Sequence, residues 1–344
     1  MMNKEPKGLE GLFPYLEAEL HLEPSSTVIT QFKGGYSNLT YLITSPEGEF
    51  VLRRPPLGLK ISKAHDMVRE FMVLEALERA GYTKIPKPIL VCEDESLIGV
   101  PFFIMEKVNG LILRNKIPEG MDLDSDFFVK LSMYSLDGLL ALHQLELSSS
   151  GLLALGKPEG YVERQVIGWS DRYFNAKTDE IPEMEKVSDW LKENMPAKEN
   201  VGFIHNDYKY DNLVLAGPDN PEIKAVLDWE MATVGDPLMD LGTSLAYWAE
   251  EGDPDILKMF NLTYPKGNMK RAEVIEYYAQ NSRLDLSDML FYYVFGVFKV
   301  GVIAQQIYKR YSLGFAQDPR FAALIHVVKA CGTTAMKSIL THKI

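Results

Sequence analysis

The chain has 344 residues, of which 46% are hydrophobic, and it carries a formal net charge of −12. This length and apolar content suffice for one large or two modest domains with a full hydrophobic core. The excess of acidic residues argues against general nucleic-acid binding, which needs a basic surface. The charge is mildly compatible with a cationic substrate, but solubility alone is the favoured explanation for it.

Cysteine usage and hydropathy disfavour two further classes of protein. Cys92 and Cys331 form no C-x-x-C pair, so they suggest neither a zinc site nor a disulfide framework. The N-terminal residues contain no apolar core of a signal peptide, and the longest apolar stretch, residues 291–304, is too short to span a bilayer. We therefore expect a protein of the reducing cytoplasm without a membrane partner.

The first hundred residues are typical of strands arranged around one helix. Strands are predicted at residues 26–32, 39–45, 50–54, 89–93 and 101–106. A helix is predicted between them, from a cap at Ser62 to Ala80, because apolar residues recur there at helical spacing.

Five residues of this segment could contact a nucleotide. Gly34, Gly35 and Ser37 join the first two predicted strands, where backbone N–H groups and a hydroxyl could reach phosphate oxygens; a plain hairpin turn fits the same residues. Arg53 ends the third strand, where kinases keep a phosphate-binding cation, and an exposed strand-end arginine is the alternative. Glu70 on the following helix could pair with Arg53 or lie on the helix surface.

After Gly110 the pattern changes to that of helices. They are predicted at residues 127–145, 161–174, 183–194, 240–249, 271–280, 287–311 and 318–340. We therefore predict an α+β chain with a small β-rich N-terminal lobe, residues 1–107, and a larger, mainly helical lobe, residues 108–344. A nucleotide cleft between two such lobes is the expected site.

The strongest functional signal is the polar loop HNDYKYDN at residues 205–212, followed by Asp228. Short apolar runs, predicted as strands, flank the loop and end at Asp228. Asp207 could accept the proton of an attacking hydroxyl, and Lys209 could offset charge on a transferred phosphoryl group. Asn212 and Asp228 could hold Mg²⁺ on the phosphates of ATP. Turns capped by Asn and Asp are the alternative interpretation.

These motifs resemble the aminoglycoside phosphotransferase and choline kinase-like family of small-molecule kinases. The family pattern of His, any residue, Asp, and Asn five residues after the Asp is met at His205, Asp207 and Asn212. The strand-end metal Asp of the family is met at Asp228. The resemblance implies a protein kinase-like two-lobe fold, an ATP- and Mg²⁺-dependent phosphotransferase, and an orienting, structural role for His205.

Further segments resemble the kinase-like domain at the N-terminus of acyl-CoA dehydrogenase family members ten and eleven. The similar segments include GGYSNLTY at residues 34–41, FVLRRPP at 50–56, FFIME at 102–106 and GDPLMDL at 235–241. By this resemblance, backbone from Glu106 to Val108 would bind adenine, and Asp240 would brace the backbone of the catalytic loop. The match covers residues 25–330.

Three residues depart from the wider family pattern. Asn206 stands where the family usually has Gly, Arg53 stands where it usually has Lys, and Lys209 is closer to protein kinases than to antibiotic kinases. Arginine keeps a charge and can grip phosphates with two N–H groups, but its geometry differs from that of lysine. A pseudokinase-like binding module is therefore the alternative from another functional class.

The resemblance implies a small-molecule acceptor with a hydroxyl group, a hydroxyacyl-CoA or a hydroxy acid. The wider family suggests an aminoglycoside or an amino alcohol instead, and the acidic charge favours that alternative mildly. A separate acyl-CoA dehydrogenase in the same pathway is the implied partner protein.

Overall fold

A computed structural model describes residues 8–9, 11–32, 38–56 and 66–344. The chain forms two compact units, one of residues Met1–Asn109 with Ala225–Met231, the other of residues Gly110–Lys224 with Ala232–Ile344. In the division predicted from the sequence, the chain passes from one lobe to the other once, at residue 107. In the structure, the chain passes between the two units three times. The short return at residues 225–231 carries Asp228 into the first unit.

The first unit contains a five-stranded antiparallel sheet with the strand order β1-β2-β3-β5-β4. Its elements are α1 (Leu12–Leu20), β1 (Val28–Gln31), β2 (Leu39–Ser45), β3 (Gly48–Arg54), α2 (Met67–Arg79), β4 (Pro88–Cys92), α3 (Glu95–Ile98) and β5 (Phe102–Glu106). All five strands predicted from the sequence are present. Tyr41 and Ile43 of β2 are both buried, two residues apart, as expected of a strand with one face on a core.

Helix α1 is not predicted by the sequence pattern. Its N-cap, Gly11, makes no side-chain capping hydrogen bond, and its first turn contains no acidic residue, so the usual signals of a helix start are missing. Tertiary packing supplies the stability instead. Leu12 and Leu16, four residues apart on one helix face, are fully buried in a cluster with Ile43 and Phe102 of the sheet.

Helix α2 starts later than the sequence suggests. Asp66 is its N-cap, and the Asp66 carboxylate accepts a hydrogen bond from the backbone N–H of Arg69 at 2.9 Å. The expected cap, Ser62, lies outside the described residues. Because the observed N-cap of α2 is Asp66, the prediction that this helix starts from a cap at Ser62 is wrong. An aspartate at the N-cap also stabilises the positive end of the helix dipole.

The second unit is mainly helical. Its helices are α4 (Ser125–His143), α5 (Tyr161–Ala176), α6 (Pro182–Glu193), α7 (Pro237–Tyr247), α8 (Asp255–Lys258), α9 (Arg271–Asn281), α10 (Met289–Ser312) and α11 (Leu324–Thr341). Each helix predicted from the sequence is found within a few residues, except that a 3₁₀ turn at Pro319–Ala323 precedes α11. Helix α10 is long and apolar enough to cross a membrane, but it is mostly buried inside the protein, as a core helix is.

Four short strands carry the polar loops, namely β6 (Gly202–Ile204), β7 (Leu213–Leu215), β8 (Ile223–Val226) and β9 (Thr233–Gly235). Strand β7 pairs with β8, and β6 pairs with β9 in antiparallel register. Strand β9 is not predicted from the sequence, because three residues are too few to show a period. The pairing of β6 with β9 brings the start of the 205–212 loop to the start of α7.

Helices α7 and α10 touch through their backbones. A Cβ atom added to Gly242 of α7 would lie 2.2 Å from the carbonyl oxygen of Tyr292, and one added to Gly296 of α10 would lie 2.2 Å from the carbonyl oxygen of Gly242. Since real Cβ atoms do not approach backbone so closely, both positions need glycine. This close crossing fixes α10 beside the segment that follows β9.

Candidate active site

Asp240, on the first turn of α7, holds the start of the 205–212 loop. Its fully buried carboxylate accepts the backbone N–H of His205 at 2.7 Å and that of Asn206 at 2.8 Å. Burial disfavours the charge of Asp240, but the contacts from His143 and His205 outweigh it and keep the Asp240 pKa below its ordinary value. The brace that the family resemblance implies is thus confirmed.

His143 of α4 supports this brace. Its Nε2 atom lies 3.1 Å from Asp240 Oδ2, and its Nδ1 atom lies 2.7 Å from the hydroxyl of Tyr278. A His143 protonated on Nε2 donates to the carboxylate and accepts from the tyrosine, so both ring nitrogens have partners. Spacing in the sequence indicates only a satisfied core histidine at this position. Its link to Asp240 comes from helix packing between distant segments.

Asn206 occupies a conformation that L-residues rarely adopt. Its φ is +68°, in the left-handed region, which explains why glycine suits this position in the family. Asparagine is among the non-glycine residues that tolerate it best. The Asn206 side chain forms hydrogen bonds with the hydroxyl of Tyr161, with Nδ2 at 3.2 Å, so the loop is held on a second side.

Asp207, Lys209 and Asn212 are brought together at the centre of the loop. Lys209 Nζ lies 2.9 Å from Asp207 Oδ2 and 3.1 Å from Oδ1. Burial lowers the Lys209 pKa, but Asp207, Tyr247 and Asp211 together raise it by a larger amount. The net shift of the pKa is therefore upward, and Lys209 stays charged. The Asp207 carboxylate is half-buried, which leaves it a route to a bound molecule.

The amide of Asn212 is oriented by its neighbour. Its Nδ2 atom donates to the backbone oxygen of Asp207 at 2.8 Å and to Asp207 Oδ2 at 3.0 Å. With the nitrogen committed to these two acceptors, the amide oxygen is the atom that can bind a cation. An oxygen donor of this kind is what Mg²⁺ prefers, so Asn212 fits the role of a metal ligand.

Arg53 and Glu70 form a buried ion pair in the first unit. Arg53 Nη1 lies 3.2 Å from Glu70 Oε1, and the two residues are 8% and 2% exposed. The alternatives of an exposed strand-end arginine and a surface helix glutamate are therefore excluded. Burial opposes the charges of both groups. The Arg53 pKa is nevertheless raised, because Glu70, Asp228 and Glu230 stabilise the cation, while burial raises the Glu70 pKa to about 7.

Asp228 completes this cluster. Arg53 Nη2 donates to Asp228 Oδ1 at 3.0 Å and lies 3.8 Å from Glu230 Oε2, to which Asn38 Nδ2 also donates at 2.8 Å. Asp228 has a φ of +67° and a side chain that is about one-third exposed, 36%. A carboxylate held in a strained conformation at the end of a strand is a common feature of functional sites.

A magnesium site that is completed by a nucleotide stays a prediction for this chain. Across the described residues, no group of three or more His, Cys, Asp or Glu side chains could hold a metal. Mg²⁺ in phosphoryl-transfer enzymes commonly takes one or two protein oxygens and completes its shell with phosphates and water. Asp228 offers a carboxylate oxygen in the first unit and Asn212 an amide oxygen in the second, so each stays a predicted ligand.

The remaining predicted nucleotide contacts are less defined. Gly34, Gly35 and Ser37 lie outside the described residues. Glu106 ends β5, and its backbone N–H donates to the carbonyl oxygen of Lys87 at 2.9 Å. Val108 follows two residues later and is half-buried. Roles of Glu106 and Val108 in adenine binding stay predictions.

Sequence reasoning missed Lys299, Glu230 and Asn38. Lys299 is buried on α10 and donates to the carbonyl oxygen of Asn206 at 2.8 Å. Its signal in the sequence is a single charge that interrupts an apolar run of fourteen residues, 291–304. Such a charge is costly unless it has a partner, and this cost is the reason to suspect a function. Glu230 and Asn38 carry no comparable signal.

Comparison with known proteins identifies relatives along most of the chain. The model of the phosphotransferase enzyme family matches residues 28–273. Acyl-CoA dehydrogenase family member 11 of Homo sapiens is 35% identical over 317 residues, covering 91% of this chain and 40% of that protein. Acyl-CoA dehydrogenase family member 10 of Mus musculus is 34% identical over 293 residues, covering 84% and 27%. The chain thus spans well under half the length of these relatives.

Solved structures share the fold. A candidate aminoglycoside phosphotransferase from Ralstonia eutropha has a TM-score of 0.77 and 28% identity, with coverage of 95% of this chain and 98% of that one. Choline kinase from Cryptosporidium parvum has a TM-score of 0.66 at 11% identity, covering 96% of both chains. A spectinomycin phosphotransferase in complex with ADP and spectinomycin has a TM-score of 0.62 at 13% identity, covering 97% and 99%. The predicted α+β, protein kinase-like fold is confirmed.

Proposed function

We propose, on the premise that this chain belongs to the phosphotransferase enzyme family and is a small-molecule kinase, that it transfers the γ-phosphoryl group of ATP to a hydroxyl group in the presence of Mg²⁺. The observation that carries the proposal is the arrangement of Asp207, Lys209 and Asn212, in which one carboxylate receives hydrogen bonds from both other side chains. Phosphoryl transfer needs this kind of positioned charge and little covalent chemistry.

Asp207 is the proposed base. Its carboxylate would accept or orient the proton of the acceptor hydroxyl, and its orientation is fixed by the Asn212 amide at 3.0 Å. Lys209, 2.9 Å from the same carboxylate, would offset negative charge on the transferred group. Asp240 would act through the backbone of the loop, by holding the N–H groups of His205 and Asn206.

Asn212 and Asp228 are the proposed Mg²⁺ ligands, and Arg53 the proposed phosphate-binding cation. When bound, Mg²⁺ would neutralise charge on the phosphates of ATP. Glu70 would orient Arg53, from which it lies 3.2 Å away. The 34–37 loop would add backbone N–H groups and the Ser37 hydroxyl, and the backbone of residues 106–108 would bind adenine, as the family resemblance implies.

A hydroxyacyl-CoA or hydroxy acid is the proposed acceptor. The support is sequence similarity, since the relatives at 34–35% identity carry this kinase-like segment in proteins named for acyl-CoA dehydrogenation. The structural likeness to aminoglycoside phosphotransferases and the net charge of −12 support the rival acceptor class of aminoglycosides and amino alcohols. Bulk charge has many causes, so we give it less weight than the sequence similarity.

The proposal extends to cell compartment and partners. Free cysteines at Cys92 and Cys331, both buried, are compatible with a cytoplasmic protein. An acyl-CoA dehydrogenase that acts in the same pathway is the proposed partner, and neither a nucleic acid nor a membrane is proposed.

The test is an ATP-consumption screen of purified protein with Mg²⁺ against hydroxyacyl-CoAs, hydroxy acids, amino alcohols and aminoglycosides. We expect turnover with an acyl-CoA or acid acceptor and none in the Asp207→Asn variant. Turnover with amino alcohols or aminoglycosides alone would show that the acceptor belongs to that class and not to the hydroxyacyl-CoAs and hydroxy acids. A protein that neither consumes ATP nor gains thermal stability from Mg-ATP would instead be the binding module, because a ligand at one hundred times its Kd adds about 2.7 kcal/mol.

A further inference from the structure

Lys299 is a buried charge in the middle of α10. It is 2% exposed, and its Nζ atom lies 5.6 Å from the centroid of the Trp169 ring. Its hydrogen bond to the carbonyl oxygen of Asn206 measures 2.8 Å. Taking an ammonium group out of water is costly, so a lysine at this depth requires a compensating contact. That contact is made with the catalytic loop and not with a partner on its own helix.

The hydrogen bond reaches the peptide group that precedes Asp207. The carbonyl oxygen of Asn206 and the N–H of Asp207 belong to one planar peptide unit. Lys299 binds this unit at the oxygen, and His205 Nδ1 accepts its N–H at 3.2 Å. The plane is therefore held at both edges. Because the Cα atom of Asp207 lies in this plane, a fixed plane restricts the directions in which the Asp207 side chain can point.

The residue before this peptide unit needs such support. Asn206 has a φ of +68°, and a strained conformation persists only where its surroundings over-determine it. Asp240 holds the Asn206 N–H, Tyr161 holds the side chain, and Lys299 holds the carbonyl oxygen. Each of the three contacts comes from a different helix, α7, α5 and α10.

We infer that Lys299 is a positioning residue, which holds the Asn206–Asp207 peptide unit and thereby directs the Asp207 carboxylate towards the acceptor hydroxyl. The inference rests on the proposed function in one respect, the role of Asp207 as the base. Lys299 acts through the backbone.

Charges around Lys299 make this contact sensitive to pH. Burial, Lys209 and Arg172 disfavour the protonated amine, Asp207 and Asp240 favour it, and the balance lowers the Lys299 pKa to about 8. Trp169 and Arg172 lie on α5, Asp240 on α7, and the other two groups on the catalytic loop. The charged donor is present below that pH and is lost above it, so the grip on Asn206 weakens on the alkaline side.

The experiment compares Lys299→Met with Lys309→Met in the full chain. Methionine keeps most of the length of the side chain, and it removes both the hydrogen-bond donor and the cost of burying its charge. Lys309 is the matched control, because it also lies on α10 and donates to a backbone oxygen, that of Asn175 at 2.5 Å, outside the loop. The readouts are thermal stability, hydrogen exchange of residues 205–212, and kcat with its pH profile.

We expect Lys299→Met to keep its melting temperature, to exchange faster at residues 205–212, and to lose kcat by about 10- to 100-fold with the ATP KM unchanged. The wild type should lose kcat above about pH 8, and the variant should lack this alkaline limb. Lys309→Met should match the wild type throughout. If Lys299→Met does not fold, Lys299→Gln, which retains an N–H donor without charge, takes its place; it should show the faster exchange and the loss of kcat in weaker form, and it should also lack the alkaline limb.

Unchanged hydrogen exchange in the loop would overturn the inference whether or not an acceptor is known. A fall in the melting temperature of Lys299→Met that accompanies the fall in kcat would also overturn the inference, because that result is expected of a lysine with a purely structural role. A wild type that turns over no acceptor, combined with faster loop exchange in Lys299→Met, would refute the proposed function and the catalytic part of the inference while leaving the peptide contact established.

Discussion

Arg53 and Asp228 are bound directly to each other, with Nη2 of the arginine 3.0 Å from Oδ1 of the aspartate. The cation proposed to bind phosphate and the carboxylate proposed to bind Mg²⁺ thus share one ion pair. A guanidinium has two terminal nitrogens for this purpose, and the second of them, Nη1 of Arg53, lies 3.2 Å from Glu70 Oε1. A lysine, with one nitrogen, could not span both acceptors in the same fixed geometry.

Replacing Arg53 should weaken ATP binding. In Arg53→Ala we expect the KM for ATP to rise clearly and kcat to fall further, because the remaining phosphate charge rests on Lys209 and Mg²⁺. Arg53→Lys should recover part of the loss, since the charge returns without the bidentate geometry. Steady-state kinetics measures the KM for ATP and kcat of each variant, and calorimetry measures ATP binding directly. Unchanged ATP binding in Arg53→Ala would leave Arg53 as a structural residue and favour the pseudokinase.

Glu70 should show its effect through Arg53. Glu70→Ala is expected to raise the KM for ATP less than Arg53→Ala does, because it would only misorient the guanidinium. The double variant should lose less than the sum of the two single losses, as residues in contact usually do. The double-mutant cycle on kcat/KM decides the point, and additive losses would contradict the pairing.

Asp207→Asn should abolish turnover while ATP binding persists. A general base contributes about 10²- to 10⁴-fold in rate, and asparagine keeps the shape of the side chain without a basic oxygen. Asp211→Asn is the matched control, since it makes the same chemical change in the same loop, where its carboxylate lies 3.8 Å from Lys209. Single-turnover kinetics should separate the two. An Asp207→Asn variant with more than about a tenth of the parental kcat would exclude this base.

Asp228 should matter more for Mg²⁺ than Asn212 does. A carboxylate brings a full charge to a hard cation, whereas an amide brings a dipole. We therefore expect Asp228→Ala to need far more Mg²⁺ for half-maximal activity, Asn212→Ala moderately more, and Asp219→Ala, at an exposed turn, no more than the parent. Titration of activity with Mg²⁺ tests the order. Equal Mg²⁺ dependence in Asp228→Ala and the parent protein would contradict the assignment of Asp228 as a Mg²⁺ ligand.

Gly242→Ala should destabilise the second unit. Its new methyl group would meet the Tyr292 carbonyl oxygen at 2.2 Å, so the two helix backbones would have to separate. Overpacking of this kind costs about 1–3 kcal/mol. Gly217→Ala is the control, because a Cβ there meets nothing within 4 Å. Urea unfolding of both variants measures the difference in stability. Equal unfolding midpoints would contradict the prediction, because they would show that the two helices separate at little cost.

The proximity of the three polar side chains in the 205–212 loop could be predicted because they are close in sequence. Asp207, Lys209 and Asn212 lie within six residues of each other, so one loop conformation brings them together. The small lobe could be predicted for a similar reason, since hairpin strands pair with their neighbours.

Features that depend on distant segments could not be predicted. The burial of Arg53 depends on Glu70 and on the return of residues 225–231 to the first unit, which no sequence period marks. Helix α1 lacks capping signals and is stabilised by packing. Lys299 gave a warning, as one charge in an apolar run, but its partner Asn206 lies 93 residues away, a separation that sequence patterns do not bridge.

The glycine crossing of α7 and α10 has a consequence for genetic screens. Asp240 on α7 binds the backbone N–H of Asn206, and Lys299 on α10 binds its carbonyl oxygen. A change in the spacing between these helices would therefore move the residue beside Asp207. A bulkier residue at Gly242 or Gly296 would therefore inactivate the protein without approaching any substrate. Second-site suppressors of such variants should map to small replacements on the facing helix. In a mutational map of activity, these glycines would score as active-site positions although they lie at a crossing of two helices.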